Sequence, residues 1–136
     1  MHKLSQEDIA SELAIIIKQR KGYGTIAEMD LMGDVTGSDV VIVDDICDTG
    51  GTLVRAAQLL KDNGANRIFA AITHPIFSTA ALKRIENSVI DEVIVTNTIP
   101  LKGTLMPKNL KQVSIASLIA ETIQRIHNGE SVSKLF

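Results

Sequence analysis

The stretch VVIVDDICDTGGT, Val40 to Thr52, sets the fold class of this chain. Four apolar residues run straight into two adjacent aspartates, and a third acid, two glycines and two threonines follow. Neighbouring carboxylates are costly to bury, and glycine pairs are costly to order. A short turn that combines both after an apolar strand is built for something other than stability.

In open parallel sheets, ligands sit beyond the carboxyl ends of the strands. Asp44 and Asp45 fall at such an end, where the pattern predicts a helix starting after Gly51. A helix start offers backbone N–H groups and a partial positive charge, which favour an anion such as phosphate. Gly50 and Gly51 let the backbone approach closely, and Thr49 and Thr52 add hydroxyl donors.

The carboxylates would repel the same anion. The conflict disappears for a ligand with a phosphate at one end and hydroxyls at the other, because ionised aspartates accept from the two donors of a cis-diol. A ribose 5-phosphate unit has that shape. Its phosphate would lie on the amides of Asp48 to Thr52, its diol would face Asp44 and Asp45, and a divalent ion would screen any further phosphates. The bland alternative is a helix cap supplied by Asp48 or Thr49. Two acids and an apolar strand ahead of the turn favour the phosphosugar. No lysine follows the glycines, so this is not a Walker A loop, and the acid spacing is wrong for a calcium loop.

The remaining sequence alternates in the same way. Ser5 to Asp8 reads as a helix start, Leu13–Ile17 (LAIII) as a fully buried strand, and Lys18–Gly24 (KQRKGYG) as a mobile basic loop. Val40–Val43 is the next buried strand. Leu53, Ala56, Ala57 and Leu60 share one helical face that ends at Asn63-Gly64. Ile68–Thr73 predicts a strand, and Pro75 delays the following helix, which carries Ala81, Leu82 and Ile85. Val93–Val95 and Gln112–Ile115 predict two more strands, separated by a long loop from Ile99-Pro100. Ile119, Thr122, Ile123 and Ile126 mark a last helix, stopped at Asn128-Gly129. The alternation predicts an α/β domain of three layers, a mostly parallel sheet with helices on both faces. Residues 1–136 read as one domain.

The totals exclude several classes of function. A net charge of −2 without a basic stripe, and only 3% aromatic residues, argue against nucleic acid. One cysteine, Cys47, allows no internal disulfide and no Cys-cluster zinc site. No apolar run approaches the roughly 20 residues of a membrane span, and MHKLSQED lacks a signal peptide's apolar stretch. The chain is expected in the cytoplasm, away from membranes. His74 reads as a turn histidine beside Pro75, Cys47 as a small filler and His127 as a helix-end charge.

With LAIIIKQR, MGDV, VDDICDTGGT, THPIFS, NSVIDEVIVTNTIP and RIHNGESVSKLF, the chain resembles the ribose-phosphate diphosphokinases, of the type I phosphoribosyltransferase fold. The resemblance runs from about Ser11 onward, and the closing stretch separates this family from the salvage phosphoribosyltransferases. It implies that Asp44, Asp45, Asp48, Thr49, Gly50, Gly51 and Thr52 form a ribose 5-phosphate loop. It also implies that Lys18 and Arg20 open a catalytic flexible loop, where cations on a lid meet charge developing on phosphate oxygens. The implied reaction moves diphosphate from ATP, bound with Mg2+, to ribose 5-phosphate. Ile17 before the lysine, and Gly22 and Gly24 in the loop, depart from the usual pattern.

The family has two similar domains, and the chain resembles the second. The resemblance therefore implies a sheet lacking one family strand beside VVIV, where edges left open would be resolved by the remaining strands closing up or by another chain covering them. It further implies a homo-oligomer, with the tail Ser131–Phe136 at subunit contacts, and little synthase activity from the short chain alone. A non-catalytic regulatory or binding subunit of the same family and a salvage phosphoribosyltransferase are the rival readings.

Overall fold

The computed structural model describes residues 12–19, 28–78, 80–101 and 106–135. Strands β1 (Ile15–Gln19) and β2 (Glu28–Met32) form an antiparallel ribbon in which Ile15 faces Met32 and Ile17 faces Asp30. Strands β3 (Val40–Cys47), β4 (Ile68–Pro75), β5 (Glu92–Thr96) and β6 (Leu110–Val113) make a second sheet. All its pairs are parallel and its order is β3-β4-β5-β6. Helices α1 (Gly51–Asp62), α2 (Ala81–Glu86) and α3 (Ala116–His127) follow β3, β4 and β6, and a 3₁₀ turn spans Val132–Leu135. The result is the expected α/β architecture, a four-stranded parallel sheet with flanking helices.

Register explains the core. Val40 pairs with Ile68, Ile42 with Ala70, Ala70 with Val93 and Ile72 with Val95, so one row of side chains crosses the sheet. Leu53, Ala56, Ala57 and Leu60 recur at helical spacing on α1 and are buried, and Ala81 and Ile85 do the same for α2. Both helices join that row of sheet residues in one apolar cluster. Full burial of a side chain such as Leu60 contributes about 1.5–3 kcal/mol relative to exposure. The Asn63-Gly64 stop is as expected. Gly64 takes φ +87°, its N–H reaches the Lys61 carbonyl at 3.0 Å, and the Ala65 N–H reaches the Leu60 carbonyl at 3.1 Å.

Four sequence expectations change. Leu13–Ile17 is not a fully buried strand: β1 starts at Ile15, and of the five residues only Ala14 and Ile16 pack on the core, while Leu13, Ile15 and Ile17 are exposed. A two-stranded ribbon laid on a core has one covered face, whatever the side chains on the other. Lys18 and Gln19 continue that strand instead of opening the basic loop expected at Lys18–Gly24, whose other residues lie outside the described residues. Val40–Val43 is not buried on both faces either. Val41 and Val43 are 59% and 79% exposed, because α1 and α2 both pack on the opposite face. The last strand lies at Leu110–Val113, two residues earlier than expected, with Leu110 contacting the core and Gln112 exposed.

β3 is an edge strand among the described residues, as a sheet missing one strand would require. The predicted last helix is present, yet Ile119, Ile123 and Ile126 stay exposed. The 3₁₀ turn of the tail packs against it. The helix start at Ser5–Asp8 lies outside the described residues.

Candidate functional site

Asp44 and Asp45 sit inside β3 rather than after it, because pairing with β4 continues through Cys47 opposite Pro75. The acids therefore stand on rigid backbone. Asp44 is half-buried and Asp45 exposed. Burial pushes the Asp44 carboxyl upward; the Asp45 N–H, which it accepts at 3.0 Å, works against that shift.

The turn Asp48–Gly50 then leads into α1. Gly50 is the residue before the helix, with φ +71° and no side-chain capping bond, so neither Asp48 nor Thr49 caps α1. A left-handed backbone at this position favours glycine. The first α1 ladder bond runs from Val54 N–H to the Gly50 carbonyl at 3.0 Å, so the amides of Gly51 and Leu53 precede the ladder. The Gly51 N–H makes only a long 3.5 Å contact to Thr49 Oγ1. Thr52 is exposed on the first turn of α1. Acceptors at Asp44 and Asp45 and donors at the helix start thus share one carboxyl edge of the sheet, as a ligand with both alcohol and anion would require.

The turn leans on its neighbours. Phe77 N–H donates to the Cys47 carbonyl at 3.1 Å and Ser78 N–H to the Asp48 carbonyl at 3.0 Å, tying the segment after β4 to the acid-glycine turn. Phe77 does so at φ +42°, a conformation that costs a non-glycine residue about 1–2 kcal/mol. Arg84 of α2 donates to the Thr49 carbonyl at 2.9 Å. Cys47 is buried, as a small filler would be; burial pushes its thiol up to about 11, with the Asp44 and Asp48 charges adding to the shift.

His74 lies within β4, not in a turn, and its Nδ1 is 3.0 Å from Thr98 Oγ1. Thr98 and Thr96 hydroxyls both reach the Thr73 carbonyl, at 2.8 and 2.6 Å. This hydroxyl cluster ties together the carboxyl ends of β4 and β5. Sequence reasoning missed Arg84, Phe77 and the paired threonines. A cation on a short helix and threonines in a loop look like ordinary surface, and only the spacing Thr96-x-Thr98 hinted at a shared acceptor.

Of the two cations expected to open a lid, Lys18 is on β1 with its backbone opposite Met29, and Arg20 lies outside the described residues. Among the described residues, no three His, Cys, Asp or Glu side chains gather into a metal cage, and no helix is long and apolar enough to cross a membrane. A cavity of about 560 Å³, lined by Asn97, Pro100, Leu101, Met106, Leu110 and Gln112, lies at the β5–β6 end of the sheet, away from the acids.

The family described as phosphoribosyl synthetase-associated domain matches residues 6–136. The chain is 50% identical over 127 residues to a ribose-phosphate pyrophosphokinase of Shewanella oneidensis, covering 93% of this chain and 40% of that protein. It is 46% identical over 128 residues to the ribose-phosphate pyrophosphokinase of Staphylococcus epidermidis, with 94% and 40% covered. The crystal structure of phosphoribosylpyrophosphate synthetase from Mycobacterium smegmatis superposes with a TM-score of 0.74 at 36% identity, over 85% of this chain and 37% of that one. The chain thus spans about 40% of the length of the curated relatives it matches. On a match that takes in nearly all of its residues, this chain belongs to the phosphoribosyl synthetase-associated domain family.

Proposed function

We propose that this chain is the sugar-phosphate-binding domain of a ribose-phosphate diphosphokinase. Asp44 and Asp45 accept the ribose hydroxyls, and the turn Asp48, Thr49, Gly50, Gly51 and Thr52 holds the 5-phosphate. The observation that carries this reading is the placement of two strand-borne carboxylates beside a helix start opened by left-handed Gly50. Homology to enzymes named ribose-phosphate pyrophosphokinases supports it.

In the full reaction the anomeric hydroxyl of ribose 5-phosphate attacks the β-phosphorus of MgATP, its proton is lost, and AMP leaves. The chemistry asks for alignment of two reactants and for cations near the transferring oxygens. Asp44 and Asp45 orient the sugar, and Lys18 and Arg20 supply positive charge from the lid. The metal arrives with ATP as part of the substrate. This chain spans 40% of its relatives, so sugar-phosphate capture is assigned to it, with little or no transfer by the 136 residues alone.

Work in the cytoplasm as a homo-oligomer completes the proposal. Its support is α3, whose Leu118, Ile119, Ile123 and Ile126 remain exposed.

Titration calorimetry with ribose 5-phosphate and Mg2+ tests the reading. Saturable binding is expected for the chain, and a loss of at least about tenfold for Asp45→Ala, which removes a charged hydrogen-bond acceptor. No heat from the folded chain, or equal affinity in Asp45→Ala, would overturn it. AMP release from ATP in the same samples separates an enzyme from a binder without turnover.

A further inference from the structure

The peptide plane between Thr49 and Gly50 is held from outside its own turn. Its carbonyl accepts from the Arg84 guanidinium at 2.9 Å. The C=O and N–H of one trans peptide share a single rigid plane, so this contact restrains the orientation of both. That plane needs fixing. Gly50 populates positive and negative φ with similar ease, and a swing about Thr49 ψ and Gly50 φ is the least costly way for such a turn to rearrange.

The helix side is already committed, since the Gly50 carbonyl accepts the first α1 bond from Val54. Fixing the preceding plane therefore fixes the path of the chain from the turn into that helix start. Arg84 reaches the turn from α2, 35 residues away.

Resting on the phosphosugar reading above, we propose that Arg84 is a positioning residue for the 5-phosphate. It acts through the Thr49 carbonyl, holding the turn in its anion-accepting shape before the ligand arrives. Donors set in advance cost no ordering at the moment of binding. Thr49 is exposed, so a small cation can reach the same carbonyl when the arginine side chain is cut back.

The test uses the full chain, Arg84→Ala, Arg84→Lys and the neighbouring Lys83→Ala. Amide hydrogen exchange at Gly50 is followed by NMR without ligand, and ribose 5-phosphate affinity by calorimetry. Expected for Arg84→Ala are faster Gly50 exchange and about tenfold weaker binding, the size of one charged hydrogen bond, at an unchanged melting temperature. Arg84→Lys should recover part of both losses. Guanidinium chloride should restore Arg84→Ala binding, while sodium chloride at equal ionic strength should not, and Lys83→Ala should match the unmodified chain. If Arg84→Ala melts early, Arg84→Lys at matched stability carries the comparison.

Unchanged Gly50 exchange in Arg84→Ala overturns the proposal, as does weaker binding that guanidinium cannot rescue, which would mean simple charge attraction. Loosened Gly50 in a chain that never binds the sugar keeps the positioning role and defeats the phosphosugar reading instead.

Discussion

Asp44 Oδ1 accepts the backbone N–H of Asp45 at 3.0 Å, so the first acid of the pair is oriented by the second. The bond does not offset the half-burial of Asp44, whose carboxyl is pushed above the ordinary aspartate value of 3.8 by desolvation, with the Asp45 charge adding to the shift. A carboxyl whose folded value is raised binds its proton more tightly in the native state. Its contribution to stability is present at low pH and is lost as pH rises from about the unfolded value through the folded one. Asp44→Asn keeps the acceptor and removes that loss. Thermal unfolding across pH should therefore show Asp44→Asn gaining on the unmodified chain as pH climbs from 3.8 towards neutrality. A constant difference across that range would contradict the burial of Asp44.

Gly50→Ala is expected to lower stability by about 1–2 kcal/mol, the cost of a left-handed backbone for an L side chain. The added Cβ would meet the Ala81 carbonyl oxygen at an ordinary 3.5 Å, so the penalty is conformational rather than a clash. A fall of a few degrees in melting temperature is the readout.

Cys47 should resist alkylation. Its thiol is buried and pushed up to about 11, so little thiolate exists at neutral pH and little of it is reachable. Maleimide labelling of the folded chain should be slow and should track global unfolding by denaturant. Rapid labelling without unfolding would show that the acid-glycine turn opens locally.

Val43 stands 79% exposed on a strand whose outer edge has no partner among the described residues. Exposed apolar edge strands associate with one another, and an added lysine blocks such pairing. Val43→Lys should reduce concentration-dependent light scattering while leaving the unfolding free energy within about 0.5 kcal/mol of the original, since the site is on the surface.

The order of strands and helices was legible because each element carries its own local signal. Leu53 to Leu60 keep helical spacing, Asn63-Gly64 is a stop, and Ile68–Thr73 is a run too short for a helix. Which faces are covered was not legible. Val41 and Val43 are as apolar as Val93 and Val95, yet the first pair is open to solvent and the second is buried. Side-chain type reports what a position tolerates, and coverage depends on where distant elements pack. The acids and glycines of the site announced themselves by their unfavourable local chemistry. Arg84 did not, because its contact with Thr49 spans 35 residues and leaves no local pattern.

The backbone bonds from Phe77 to Cys47 and from Ser78 to Asp48 mean that the acid-glycine turn is not a portable cassette. Transplanted into another parallel sheet with only its own residues, it would arrive without the neighbouring loop that shapes it. A graft would have to bring the end of β4, the left-handed Phe77 and the first turns of α2 along with the motif.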